Sequence, residues 1–155
     1  MSLDITLYKR LEIDSELCLG CLSNDKNHTH VLLIHYDRNI THNYTKMADV
    51  AGVYHTIWRP ELLGNSVLTH RILHHEDRME VTEADRLKKV LPRVRARQLT
   101  DALATGLLKL KQSPKTYKAL QPINGWGTYS QFVDFVEEYW YACRTFPDAV
   151  VEVSR

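Results

Sequence analysis

The chain has 155 residues, of which 44% are hydrophobic and 25% are charged, with 20 Lys and Arg against 19 Asp and Glu. These proportions are typical of an ordinary water-soluble protein, and they exclude a strongly acidic or strongly basic chain. No apolar run approaches the roughly 20 residues that span a bilayer, and the first residues carry no signal-peptide core. We therefore predict a cytoplasmic protein with no membrane partner and a single domain over residues 1–155.

The N-terminal part of the sequence predicts β-strands. Residues 4–9 alternate polar and apolar side chains, as a half-buried strand does. A second strand is predicted over residues 17–22, and the β-branched apolar centre of residues 30–36 predicts a third, buried strand. Because the connections are short and rich in turn residues, these strands are expected to form an antiparallel sheet.

Helical patterns follow. Helix-capping residues at 37–41 and a glycine at Gly52 predict the start and end of a short helix. Four leucines between residues 99 and 110 recur at helical spacing, as do the apolar residues between 132 and 143. The alternation at 151–153 predicts a final strand. The order of elements predicts an α+β fold, in which an antiparallel sheet of N-terminal strands plus a C-terminal strand carries its helices packed on one face.

Two cysteines and two histidines form a weak candidate metal site. Cys18, Cys21, His28 and His30 have the chemistry of zinc ligands and the spacing C-x2-C-x6-H-x-H. The cysteine pair falls in a predicted strand rather than in a knuckle turn, so the sequence favours cysteines that act as small apolar fillers. We predict no metal and no cofactor.

Positive charge is concentrated between residues 86 and 118, which hold ten basic residues and one acid. Such a segment is one way to bind a polyanion. However, Pro92 interrupts it and aromatic stacking residues are sparse within it. The sequence therefore favours a solvated helix face over a nucleic-acid partner, and it leaves a homo-oligomer open.

Three segments of the sequence together predict a ligand pocket, which is the most specific candidate site. Residues 39–43 are expected at a strand-to-helix junction, where backbone N–H groups favour an anion. Residues 58–61 and 124–129 add glycine backbone and the flat faces of aromatic rings. The candidate ligand-binding residues are Asn39, Thr41, His42, Asn43, Trp58, Arg59, Glu61, Asn124, Trp126 and Tyr129. The alternative is that these residues only cap helices and fasten the fold.

Several of these segments together resemble a family of small, uncharacterised phage and bacterial proteins. The resemblance is carried by Asn-Ile-Thr-His-Asn at 39–43, Trp-Arg-Pro-Glu at 58–61, Asn-Gly-Trp-Gly-Thr-Tyr at 124–129 and the closing residues 151–155. It implies frequent carriage by phages or mobile elements, and it brings no established activity.

Three functional hypotheses follow. The first is a binding module that holds, and in a phage setting sequesters, a small anionic or nucleotide-like ligand, which would suit an anti-defence role. The second is a structural or protein-interaction module without a small ligand. The third is a hydrolase or transferase with His42 as general base. Because no local spacing assembles a catalytic set, the sequence favours binding over catalysis.

Overall fold

The computed structural model describes residues 2–12, 30–63 and 94–154. Its three strands are β1 (Ser2–Glu12), β2 (His30–Thr41) and β3 (Val150–Ser154). They form an antiparallel sheet in the order β2-β1-β3, so the first strand lies at the centre. This arrangement confirms the predicted α+β class and the return of the C-terminal strand to the N-terminal sheet.

Five α-helices lie within the described ranges. They are α1 (Thr45–Ala51), α2 (Tyr54–Trp58), α3 (Thr100–Gln112), α4 (Pro114–Lys118) and α5 (Tyr129–Thr145). Short 3-10 turns occupy His42–Tyr44, Pro60–Leu62 and Ala96–Gln98. None of the helices in these ranges combines the length and the apolar character needed to cross a bilayer.

The sheet buries one face against the helices. Leu3, Ile5 and Leu7 of β1 are fully buried, whereas the alternating residues Ser2 and Asp4 are exposed. This alternation follows from the two-residue period of a strand. The three buried side chains belong to the same hydrophobic core as side chains from all five helices. The prediction that the helices pack on one face is therefore confirmed.

Strand β2 continues beyond the end that the sequence predicts. Residues 37–41 were expected to cap a helix, but they remain paired with β1, and Thr41 lies opposite Ser2. The hydroxyl of Thr41 accepts a hydrogen bond from the backbone N–H of Asn43 at 3.3 Å, and it caps only the 3-10 turn that precedes α1. The pairing with a central strand outweighs the turn preference of the polar residues here.

Later parts of the helical prediction are confirmed. Gly52 ends α1 with φ at 78°, and its N–H donates to the carbonyls of Ala48 and Asp49. This is the left-handed helix end that glycine favours. The leucine series lies on α3, where Leu103 and Leu110 are buried. A further short helix, α4, begins at Pro114, directly after Ser113.

Some predictions fall on other parts of the chain. The expected strand over 17–22 lies outside the described residues, as do the basic residues before Val94. So do three of the four weak zinc candidates, namely Cys18, Cys21 and His28. The fourth candidate, His30, is described only as the first residue of β2. Within the described ranges, no group of three or more His, Cys, Asp or Glu side chains is placed to hold a metal ion.

Candidate functional site

A pocket of about 340 Å³ opens between β2, the loop over residues 122–128 and the first turns of α5. Its apolar part comes from Ile40, Tyr44 and Phe135. Its polar and aromatic lining includes Arg38, Asn39, Thr41, Trp126 and Gln131. The volume lies near the lower end of the range that is typical of small-ligand pockets.

The backbone of Trp126 is held on both sides while its ring is left free. Its N–H donates to the side-chain oxygen of Asn124 at 3.0 Å, and its carbonyl accepts from the side-chain amide of Asn43 at 3.1 Å. The side chain itself is 72% exposed. The loop therefore presents an accessible indole on a fixed backbone at the pocket.

Gly127 brings this loop against the end of β2. It is buried, with φ at 94°, a backbone conformation that favours glycine. A Cβ atom at this position would lie 2.8 Å from Cε1 of Tyr44 and 3.2 Å from Cγ2 of Thr41. Only a residue without a side chain permits both the backbone conformation and the close approach.

The start of α5 also reaches the pocket, but three of the N–H groups there are already engaged. Thr128 and Gln131 form a capping box, with distances of 3.1 and 3.3 Å. The N–H of Tyr129 donates to the side chain of Gln121 at 2.7 Å. The helix terminus is therefore not an open anion site, and attraction of an anion depends on side chains.

Arg38 is the cation in the lining of this pocket. Its guanidinium lies 3.5 Å from the carboxylate of Glu138, and both side chains are about half exposed. A guanidinium has five N–H donors, so one ion pair leaves donors for a ligand. Arg38 is not among the site residues predicted from the sequence, because the predicted strand ends at Tyr36. Once β2 is extended, Arg38 follows Tyr36 at the two-residue spacing that turns side chains to one face.

Asn39 and Thr41 belong to the pocket lining, and the polar groups of their side chains already have partners. The side-chain amide of Asn39 donates to the carboxylate of Asp4 on the neighbouring strand. The hydroxyl of Thr41 accepts from the backbone of Asn43. Each side chain can form a further hydrogen bond, because the Asn39 side-chain oxygen and the Thr41 hydroxyl proton are not used in these bonds.

His42 and Trp58 form a separate cluster. The indole N–H of Trp58 donates to Nδ1 of His42 at 3.3 Å, and the indole stacks on Tyr54 with ring centroids 5.4 Å apart. Trp58 is only 1% exposed, so it offers no ring face to a ligand. Because Nδ1 of His42 accepts a bond, its neutral ring carries the proton on Nε2. That atom is buried and has no hydrogen-bond partner among the described residues.

The structure thus places some of the predicted site residues at the pocket and others away from it. Asn39, Thr41 and Trp126 line the pocket, and Asn43 and Asn124 position its loop. His42, Trp58, Arg59 and Glu61 are not in its lining. The hydroxyl of Tyr129 donates to the carbonyl of Leu110 at 2.8 Å, which fastens α5 to α3.

A second group of titratable side chains lies between β2 and α5. The rings of Tyr36 and Tyr139 stack with centroids 5.8 Å apart, and neither hydroxyl has a hydrogen-bond partner in the described part of the chain. Burial raises the pKa of both hydroxyls, and the charge of Glu138 raises that of Tyr36 further. Burial also raises the pKa of the Cys143 thiol to about 12. These groups stay protonated at neutral pH, so this thiol is a poor nucleophile.

No protein-family model, no curated protein and no solved structure matches this chain. The geometry of the pocket is therefore the basis for a functional assignment.

Proposed function

We propose that the protein is a binding module whose pocket takes a small anionic, nucleotide-like ligand. The observation that carries this proposal is that one pocket is lined by both an accessible indole, Trp126, and a guanidinium, Arg38. A ligand with a flat ring and an acidic group matches these two side chains.

The indole supports the ring-binding part of the proposal. Aromatic rings stack on each other with a favourable free energy of roughly 0.5–1.5 kcal/mol beyond the area they bury. The hydrogen bonds on both sides of Trp126 hold its backbone before the ligand arrives. Since less of the loop has to be ordered on binding, less affinity is lost to conformational entropy.

The guanidinium supports the anionic part. Arginine binds carboxylate and phosphate groups through two parallel N–H bonds, and its charge persists at every physiological pH. Arg38 is half exposed, and Glu138 lies 3.5 Å from it. An anionic ligand would share the guanidinium with Glu138 or displace that carboxylate.

Binding is favoured over catalysis by the position of His42. The third hypothesis needs this residue as a general base, which requires hydrogen-bond reach of the reacting group. His42 is not in the lining of the pocket, and its Nδ1 is engaged by Trp58. The resemblance to phage and bacterial proteins adds the proposal that the ligand is a host signal that the protein sequesters.

The test is titration of the purified protein with AMP, GMP, CMP and UMP by isothermal calorimetry. We expect at least one mononucleotide to bind, and Trp126→Ala and Arg38→Ala each to weaken its binding at least tenfold. Tyr141→Ala and Arg97→Ala are the controls, because Tyr141 is also an exposed aromatic residue and Arg97 also forms an exposed ion pair, with Asp148. Full binding by Trp126→Ala, or no binding of any mononucleotide at millimolar concentration, would overturn the proposal in favour of a protein-interaction module.

A further inference from the structure

The segment that leads to the pocket loop carries positive charge and has no acids of its own. Between Ala102 and Val133 the sequence has four lysines and no Asp or Glu. Lys111 pairs with Glu137 at 2.6 Å. Lys115 and Lys118 are exposed on α4, and neither has a carboxylate partner among the residues that the structure describes.

Contacts place this charge next to the pocket loop. Nζ of Lys118 lies 5.9 Å from the centroid of the Tyr129 ring. Tyr129 follows Gly127, which lines the pocket, by two residues. Lys115 precedes Lys118 by one helical turn. Lys118 thus lies beside a residue that closely follows the pocket loop, whereas Arg38 lines the pocket from β2.

The fold also places aromatic residues next to the basic segment, which has few of its own. Aromatic residues are sparse within the segment itself, and that scarcity is the sequence argument against nucleic acid. The structure brings Tyr129 against Lys118, and the exposed Trp126 lies in the loop just before it. Proteins that bind single-stranded nucleic acid usually combine exposed aromatic rings with nearby cations, and Trp126 is the exposed ring of this loop.

We propose that the pocket holds one base of a single-stranded nucleic acid against Trp126, and that Lys115 and Lys118 contact the phosphates that follow. This inference rests on the proposed function, since it names the larger molecule to which the nucleotide-like ligand belongs. The two lysines are not in the pocket lining. They therefore add affinity only for a ligand that extends beyond one nucleotide.

The test compares dT12 and rU12 with dTMP and UMP, using fluorescence anisotropy for the labelled 12-mers and calorimetry for the mononucleotides. We expect a 12-mer to bind at least tenfold more tightly than its mononucleotide. In the double variant Lys115→Ala/Lys118→Ala, we expect about tenfold weaker binding of the 12-mer and an unchanged affinity for the mononucleotide. The slope of log K against log salt should flatten by about 1.4, since each phosphate contact on a single strand contributes roughly 0.7.

The control is Lys9→Ala, which removes the same charge from an exposed position near the far end of β1. Mononucleotide binding without any gain for the 12-mers would overturn this inference and leave the proposed function standing. If the unaltered protein binds neither 12-mer and none of the mononucleotides, AMP, GMP and CMP included, both proposals are overturned. The fully exposed Ile123 makes an anionic membrane the rival partner. Binding to phosphatidylserine vesicles without binding to either 12-mer would decide for that membrane.

Discussion

Asn43 and Trp126 are joined by a hydrogen bond from the side-chain amide of one to the backbone carbonyl of the other, at 3.1 Å. The two residues are 83 positions apart in sequence, and the bond closes the pocket loop onto the end of β2. It also shows that two of the segments selected from the sequence, 39–43 and 124–129, meet in space.

Replacement of Asn43 by alanine should loosen the pocket loop. The lost bond is expected to lower the free energy of unfolding by about 1 kcal/mol, the usual net value of one hydrogen bond. Nucleotide affinity should also fall, because the loop would have to be ordered on binding. Urea denaturation and calorimetry measure the two effects. Asn43→Asp should behave in the same way, since a carboxylate cannot donate the bond, and full affinity in both variants would contradict this role.

Gly127→Ala should be markedly destabilising. The backbone conformation with φ at 94° disfavours any side chain, and the new Cβ would overlap Tyr44. We expect a loss of at least about 2 kcal/mol, measured by thermal or urea unfolding. Gly125→Ala is the matched control, because its φ is 73° and a Cβ there meets no atom within 4 Å. Its loss should stay near 1 kcal/mol, and equal losses in the two variants would contradict the close approach of Gly127.

Tyr139→Phe should stabilise the protein. The hydroxyl of Tyr139 is buried and has no hydrogen-bond partner in the ranges described, so its removal abolishes a desolvation cost. We expect a gain of about 1 kcal/mol in the free energy of unfolding. Tyr129→Phe should have the opposite effect, because the hydroxyl of Tyr129 donates to the carbonyl of Leu110. A loss of stability in Tyr139→Phe would mean that its hydroxyl does bond in solution.

Stability should decrease in alkali, in part through Cys143. Burial raises the pKa of its thiol from the ordinary 9.0 to about 12. Above pH 9 the unfolded chain therefore loses this proton while the folded protein keeps it, and unfolding becomes more favourable as the pH rises. The contribution of the Cys143 thiol to the free energy of unfolding is fully present below pH 9 and is lost between pH 9 and pH 12.

Urea denaturation from pH 8 to pH 10 measures this effect. Cys143→Ala should lose less stability over this range than the unaltered protein, by about 1 kcal/mol. Cys18 and Cys21 are present in both proteins, so their ionisation cancels in the comparison. If the stability of both proteins falls equally with pH, ionisation of the Cys143 thiol does not cause the loss.

The sheet was predictable because its signal is local. Alternation in residues 4–9 and 151–153 identifies one face of β1 and one face of β3 without reference to any partner. The end of β2 was not predictable in this way. Its last residues are polar and turn-forming, and they stay in the sheet because β1 pairs with them from Ser2 onward.

The site was only partly predictable for a related reason. Sequence order selects aromatic residues near glycines, but it does not tell Trp126, which is exposed, from Trp58, which is buried. That difference arises from the packing of α2 and of the pocket loop against other elements. The missed Arg38 depends on the length of β2, and so on long-range pairing rather than on a motif.

The order of strands in the sheet constrains how the chain folds during synthesis. Central β1 is translated before β2, whereas β3, which pairs with Asp4–Tyr8, is translated only after α5. One edge of β1 therefore stays unpaired until nearly all of the described residues have been translated. Contacts of such sequence separation form slowly, and an open strand edge invites pairing with other chains. In a nascent chain, β1 can therefore pair with β2 before it can pair with β3.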